Sequence, residues 1–324
     1  MKIAVVGAGL AGCSCARLLA DKGLSIDLFE KENHIGGLLY DKEGDEVFQH
    51  YGPHIFHTSN PQVINFILRF AEWEGFCNRP IAITDLGMAR LPISLETVLD
   101  LKGDALGDTP GSLDSYKDLI SKNIIEGYSK KQWGDGDYTN AVKRLKISDT
   151  ISGSYFGDVF EGLPKGGFYK FLEDMIDHKN IKIYLNKKFI GLDKYEKVIW
   201  TGPIDECPNI DIKLKWIGTL FKRVKNNERF LAPVYNYNIS NVEYTRATKM
   251  CLLTGCSSTD VLQEYPRQST AKHYVIINED EKKQVEDIIK GLGDTPYFCG
   301  RSATARYLDM DEVIENAFEI SEKF

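Results

Sequence analysis

The sequence predicts an α/β fold that combines a parallel-sheet domain, a small helical domain and a third domain built on an antiparallel sheet. Three observations lead there. The chain opens with an apolar strand, three spaced glycines and a helix; a second strand follows at the interval of a βαβ unit; and residues 212–278 change to alternating runs. At 324 residues the chain has room for about two domains and a full-sized core. Apolar residues at 43% and charged residues at 27% exclude a disordered, collagenous or coiled-coil protein.

The 40 basic and 47 acidic side chains leave a net charge of −7, so no global field attracts nucleic acid or anionic lipid. Any anionic ligand must be held by a few local cations. Cys13, Cys15, Cys77, Cys207, Cys251, Cys256 and Cys299 are scattered without metal-ligand spacing, which reads as reduced thiols in a cytoplasmic protein. The uncharged stretch from Ile3 to Ala16 is too short to span a bilayer, and its glycines do not suit a secretory signal. Neither nucleic acid nor membrane is expected as a partner.

Residues 2–6 form a buried-strand run, followed by Gly7-Ala8-Gly9-Leu10-Ala11-Gly12 and a helix through Lys22 that packs on Ala16, Leu18, Leu19 and Ala20. The first glycine permits the tight turn, the second lets backbone approach a pyrophosphate, and the third lets the helix pack on the sheet. A second strand over 25–29 ends in Glu30, 18 residues after Gly12, where a carboxylate can accept an adenosine ribose. This is a Rossmann-like dinucleotide site. NAD and FAD share it, and the residues just past Glu30 discriminate between them. Lys31 leads into Gly36-Gly37-Leu38, a second backbone approach beside the pyrophosphate, which is the habit of flavoproteins related to amine oxidases and favours FAD.

Further along, residues 61–73 have the apolar spacing of a helix, residues 80–84 and 89–93 read as a hairpin around a turn at 85–87, and residues 95–130 read as helices broken by an exposed, mobile loop at 103–111. Residues 167–177 form an amphipathic helix. Strands at 181–185 and 197–203 return to the nucleotide-binding sheet, residues 212–278 form the antiparallel sheet, and residues 298–301 are a last strand and turn before a helix starting near Asp309. The segment from Phe48 to Thr58 carries His50, His54 and His57. Gly52-Pro53 breaks any helix that would align them, and no cysteine or acidic pair joins them, so no metal is expected.

In chain order, the histidine loop, Gly127-Tyr128-Ser129-Lys130-Lys131-Gln132-Trp133-Gly134, Thr201-Gly202-Pro203-Ile204-Asp205, Tyr244-Thr245-Arg246 and Gly300-Arg301 with Tyr307-Leu308-Asp309-Met310 resemble the UDP-galactopyranose mutase family. The resemblance runs from the first strand to the last helix. It implies an isomerase that interconverts UDP-galactopyranose and UDP-galactofuranose on reduced FAD, through a covalent adduct between flavin N5 and the sugar, with no net redox change. A UDP-sugar substrate, an external reductant such as NAD(P)H and a homodimer belong to the same implication.

Carried over residue by residue, the resemblance makes Arg144 and Arg246 the pair that holds the diphosphate, a task suited to the guanidinium fork. Tyr155, Tyr274 and Tyr307 would hydrogen-bond the diphosphate, and Trp133 would line the sugar pocket. Tyr128 would stack on uracil, with Ser129, Asn78 and Asn236 adding polar contacts. His57 would tune the flavin or its loop, and His54 and Ile55 would lie under the isoalloxazine. Gly300, Arg301 and Met310 would contact the cofactor, and Asp309 would lie at its ribityl or substrate edge, with Gly7, Gly9, Leu10, Ala11, Gly12, Glu30, Lys31, Gly37 and Leu38 around the rest.

The expected partition is a discontinuous FAD-binding domain (1–75, 165–205, 288–324), a reduced helical domain with a mobile loop (95–145) and an antiparallel-sheet substrate domain (76–94, 146–164, 206–287). The chain departs from the family's pattern in places. The stretch between Pro92 and Gly127 is short, Arg246 is followed by Ala-Thr-Lys-Met-Cys rather than an acid and a histidine, Ile124 stands where an aromatic partner for uracil is expected, and Val275-Ile276 replaces Pro-Val. A mutase for a related nucleotide sugar is therefore one alternative. An amine-oxidase-like FAD oxidoreductase is another, although it has no use for two phosphate-binding arginines. A degenerate flavoprotein that only binds a nucleotide sugar is the non-enzymatic reading.

Overall fold

A computed structural model describes residues 2–103, 116–134, 153–293 and 295–324. Arg144 and the expected loop beyond Gly103 lie outside the described residues. Among the described residues, no helix is long and apolar enough to cross a membrane.

Five parallel strands form the first sheet, in the order Ile181–Tyr184, Ser25–Phe29, Lys2–Val6, Lys197–Trp200, Tyr297–Phe298. Four of the five residues in each of the two leading strands are buried, as a sheet covered on both faces requires. On one face pack the helices Leu10–Asp21, Gly167–Ile176 and Met310–Ser321, through Cys15, Ala16, Leu19, Phe171, Met175, Ile314 and Ala317. The other face buries Ala4, Val6, Val198 and Trp200 against Ile204 and against Val285 of the helix Glu279–Gly291. Strand order reverses on either side of Lys2–Val6, which opens the crevice where parallel α/β sheets take ligands.

The second sheet has six strands in the order Lys215–Val224, Val261–Ile276, Arg246–Lys249, Val234–Tyr237, Ile81–Thr84, Gly87–Arg90. It is not purely antiparallel as expected. Val234–Tyr237 runs parallel to Ile81–Thr84, because the 81–90 hairpin comes from a distant part of the chain and adds to an edge that local connections leave open. A third, small sheet joins Phe56–Thr58, Phe160–Pro164 and Trp73–Gly75. That pairing shortens the expected 61–73 helix to Pro61–Ile67: Trp73 leaves helical geometry to pack on Phe56, Phe160 and Phe171.

The helical part runs through Leu95–Lys102, Lys117–Ile120 and a π-helical stretch, Ser121–Glu126, into Gly127–Trp133. Its core comprises Leu91, Ile93, Val98, Leu101, Ile120, Ile124 and Ile125. Ile124 is buried there, so it occupies a packing position rather than facing a base as an aromatic residue would.

Candidate active site

The glycines of the first turn are required by contact. Gly7 has φ +98°, and a Cβ on it would meet Thr201 Oγ1 at 2.4 Å; a Cβ on Gly12 would lie 1.8 Å from Gly7 O. Thr201 Oγ1 in turn donates to Val6 O at 2.7 Å, tying together the ends of two neighbouring strands. The Gly9–Gly36 bridge brings the second glycine pair to the turn, where a Cβ on Gly37 would sit 3.4 Å from Gly9 Cα. Helix Leu10–Asp21 starts here with no side chain capping it and no acid in its first turn, which leaves its first N–H groups for an anion. A dinucleotide pyrophosphate fits this cradle on its donors, its open backbone and its charge.

Glu30 is buried, and its carboxylate is oriented by the N–H groups of Ala8 at 2.7 Å and Glu32 at 3.0 Å. Each oxygen retains acceptor capacity for a ribose hydroxyl. Leu10 packs into the core and Ile55 packs with Phe48, Met250 and Leu253. Lys31 is exposed, and so is Gly37, between Gly36 and the half-buried Leu38.

In the six-stranded sheet, register aligns Asn236 with Arg246 and Arg246 with Glu264 across three adjacent strands. Side chains so paired share one face. Arg246 donates from Nε to Asn236 Oδ1 at 3.2 Å, from Nη1 to Glu264 Oε1 at 3.4 Å and from Nη2 to the Tyr128 hydroxyl at 3.0 Å. Burial alone would lower its pKa, but Glu264 and the phenols of Tyr128, Tyr274 and Tyr155 reverse the effect and raise it. Burial raises Glu264, while Arg246 opposes the shift. Gly52 of the histidine loop passes directly over Glu264, leaving no room for a Cβ.

Around this cation stand neutral phenols. Burial raises the pKa of Tyr128 and Tyr155 and pushes Tyr274 up to about 12. Tyr274 meets Trp133 edge-on at 5.9 Å and lies nearly parallel to Tyr307 at 6.5 Å. The Arg301 guanidinium sits 4.5 Å from the Tyr307 ring centroid and 5.7 Å from that of Tyr274, and Leu308 O accepts from its Nε and Nη2. Asn78 approaches from the 81–90 hairpin, and its main-chain carbonyl accepts from the Tyr155 N–H at 2.8 Å. Its buried Oδ1 has no donor among the described residues. Ser129 is buried on the helix one residue after Tyr128.

The three histidines have different tasks. His50 stacks on Tyr40, away from the cluster. His54 is held by reciprocal hydrogen bonds with Gln49 and by Gly52 O at 3.0 Å from Nδ1. Burial, with Arg301 and Arg246 adding repulsion, lowers its pKa to about 4, so it is neutral at pH 7. His57 contacts Asp158 Oδ2 through Nδ1 at 2.8 Å and stacks on Phe156 at 3.8 Å. Asp309 is the N-cap of helix Met310–Ser321, and its own N–H donates to Glu312 at 2.7 Å. Asn316 on that helix accepts from Gly300 N–H at 3.0 Å.

The structure thus brings Tyr128, Tyr155, Asn236, Arg246, Tyr274, Arg301 and His54 within electrostatic reach of one another, with Trp133 and Tyr307 against Tyr274. Sequence reasoning missed Glu264, Asp158, Asn316 and Asn238, whose Oδ1 accepts from Tyr128 N–H at 3.1 Å. None lies in a motif.

A family model described as UDP-galactopyranose mutase matches residues 123–307, more than half of the chain, and one for an NAD(P)-binding Rossmann-like domain matches residues 5–70. A probable UDP-galactopyranose mutase of Klebsiella pneumoniae is 30% identical across 99% of this chain and 94% of its own length. The dTDP-fucopyranose mutase of Escherichia coli is 27% identical across 100% and 98%. A crystal structure of reduced UDP-galactopyranose mutase superposes with a TM-score of 0.75 at 14% identity, covering 99% of this chain and 94% of that one, which shows the shared fold. On this full-length similarity, together with the glycine cradle and the Arg246 cluster, the chain belongs to the UDP-galactopyranose mutase family of sugar-mutating isomerases.

Proposed function

We propose that the protein is a FAD-dependent UDP-galactopyranose mutase, interconverting the pyranose and furanose forms of UDP-galactose without net redox change. The carrying observation is the half-buried Arg246 guanidinium amid neutral phenols, facing the histidine loop that belongs to the dinucleotide half. Such a cation suits a diphosphate, and an oxidoreductase acting on an apolar substrate has no use for it. When bound, reduced FAD supplies the electron-rich nucleophile for the anomeric carbon. The chain's own residues hold and release the nucleotide. Arg246, joined by Arg144, binds the departing diphosphate, and Tyr155, Tyr274 and Tyr307 donate their phenolic protons to its oxygens. Tyr128 offers a ring to uracil, Trp133 bounds the sugar, and Asn78, Ser129 and Asn236 supply polar contacts.

On the cofactor side, Gly7, Gly9, Gly12 and Gly37 admit the pyrophosphate, and Glu30 takes the adenosine ribose. The last helix, capped by Asp309, would offer its positive end to the bound cofactor. Neutral His54 adds no charge beside Arg301, and His57, oriented by Asp158, shapes the loop between them. This reading carries with it the discontinuous FAD-binding unit, a cytoplasmic location and NAD(P)H as reductant. The similarity to a dTDP-fucopyranose mutase makes thymidine diphosphate sugars the first alternatives to include. The test is anaerobic turnover of UDP-galactofuranose, read by chromatography, with dithionite-reduced and oxidised protein. Product with the reduced form and little with the oxidised form is expected. Equal turnover in both, or net oxidation of the sugar, overturns the reading.

A further inference from the structure

Lys131 lies on helix Gly127–Trp133 and aims its ammonium group at main chain. Its Nζ donates to the carbonyl oxygens of Ile239 at 3.2 Å, Val242 at 3.1 Å and Tyr244 at 3.1 Å. Three protons thus meet three acceptors on one connection, the segment between strands Val234–Tyr237 and Arg246–Lys249. An ammonium group can satisfy all three carbonyls, whereas a neutral amine has one proton too few. Burial lowers the pKa of Lys131 to about 8.

The same connection touches the helix at two further points. Asn238 Oδ1 accepts from Tyr128 N–H, and Gly127 lies so close to Asn238 O that a Cβ would approach it to 2.2 Å. The connection ends at Arg246, whose Nη2 returns to the Tyr128 hydroxyl. Helix, connection and arginine therefore form a closed loop of contacts, and Lys131 is the charged member that touches neither the Tyr128 ring nor the guanidinium.

We propose that Lys131 is a positioning residue for nucleotide binding: by gathering the three carbonyls it fixes the distance between the helix that presents Tyr128 and the strand that presents Arg246. The inference rests on the mutase reading, in which these two side chains bind the base and the diphosphate. A structural cation of general kind would set stability alone. A positioning one sets nucleotide affinity while the flavin half of the molecule stays intact.

The experiment compares wild type, Lys131→Gln and Lys131→Arg as purified flavin-loaded proteins, measuring UDP affinity, kcat and KM. Lys131→Gln is expected to weaken UDP binding and raise KM about tenfold, equivalent to about 1.4 kcal/mol, with flavin content unchanged and kcat within about twofold. Lys131→Arg, which keeps charge and several donors, should recover most of the affinity. UDP affinity equal to wild type in a folded Lys131→Gln protein overturns the proposal, as does a loss confined to kcat. Should Lys131→Gln fail to fold, Lys131→Met, which keeps the apolar stem and carries no donor for the three carbonyls, decides in its place: it must raise KM more than it changes kcat, and parent-level KM overturns the idea. If wild type itself does not bind UDP, the mutase reading falls first, an outcome distinct from wild type and variant binding equally.

Discussion

Replacing Gly300 by alanine perturbs the junction between the last strand and the cofactor cradle. Gly300 has φ +89°, and its Cβ would stand 2.7 Å from the Cβ of Ala11 in the first turn of helix Leu10–Asp21. With ψ 173° beside that φ, Gly300 lies in an extended region essentially confined to glycine, which costs an L-residue about 1–3 kcal/mol. Two carbons forced below their ordinary separation of about 3.5–4.0 Å add an overpacking cost of about 1–3 kcal/mol, for a total of about 2–6 kcal/mol. Gly23 provides the control, since it has φ +84° with nothing within 4 Å of a Cβ. Gly23→Ala therefore pays only the backbone cost, about 1–2 kcal/mol. At about 2 °C per kcal/mol for a chain this long, thermal midpoints should fall by about 2–4 °C for Gly23→Ala and about 4–12 °C for Gly300→Ala. Ala11 belongs to the uncapped first turn proposed to take the pyrophosphate, so Gly300→Ala should also lose bound flavin, read from the absorbance ratio at visible and ultraviolet wavelengths. Equal midpoint losses in the two variants, with full flavin in both, would refute the reasoning.

Arg246→Ala should reduce kcat/KM by an amount equivalent to about 2–5 kcal/mol, because the charge-assisted contact proposed for the diphosphate would be lost and the buried Glu264 left unpaired; activity near the parent level would remove Arg246 from the site. Arg246→Lys keeps the charge but gathers its donors on one nitrogen, in place of the three that reach Asn236, Glu264 and Tyr128 separately, so most of that loss should persist in steady-state kinetics. His54 has a folded pKa of about 4, below its unfolded value. Its contribution is therefore present above about pH 6.5 and lost as pH falls through about 4, about 3–4 kcal/mol at most. Urea titrations at several pH values should show a shallower acid-side slope for His54→Gln than for wild type, and identical slopes would exclude His54 as the source.

Much of the dinucleotide half is legible in the chain because its causes are local. Gly12 answers a contact with Gly7 O inside the motif and Gly7 takes a positive φ at the turn itself, and a continuous apolar run beside a period-of-3.6 run announces strand and helix wherever they fold. Trp73 departs from its local pattern for the opposite reason. Helical spacing extends to it, but the aromatic cluster of Phe56, Phe160 and Phe171 draws it into a strand. The parallel edge made by Ile81–Thr84 is equally hidden, since no local pattern says which strand a hairpin will join.

The sequence alone determined the chemistry on offer: a pyrophosphate cradle, an acid for a ribose, arginines and tyrosines in recognisable strings. Tertiary structure decided what each group faces. Glu264 became the counter-charge of Arg246 through sheet register, Asp158 the partner of His57 across two strands, and Lys131 the collector of three carbonyls on a connection more than a hundred residues away. Periodicity and turn chemistry act over a few residues and leave a trace in the order of amino acids. Pairings of polar groups between distant segments depend on register and burial, which exist only once the chain has packed.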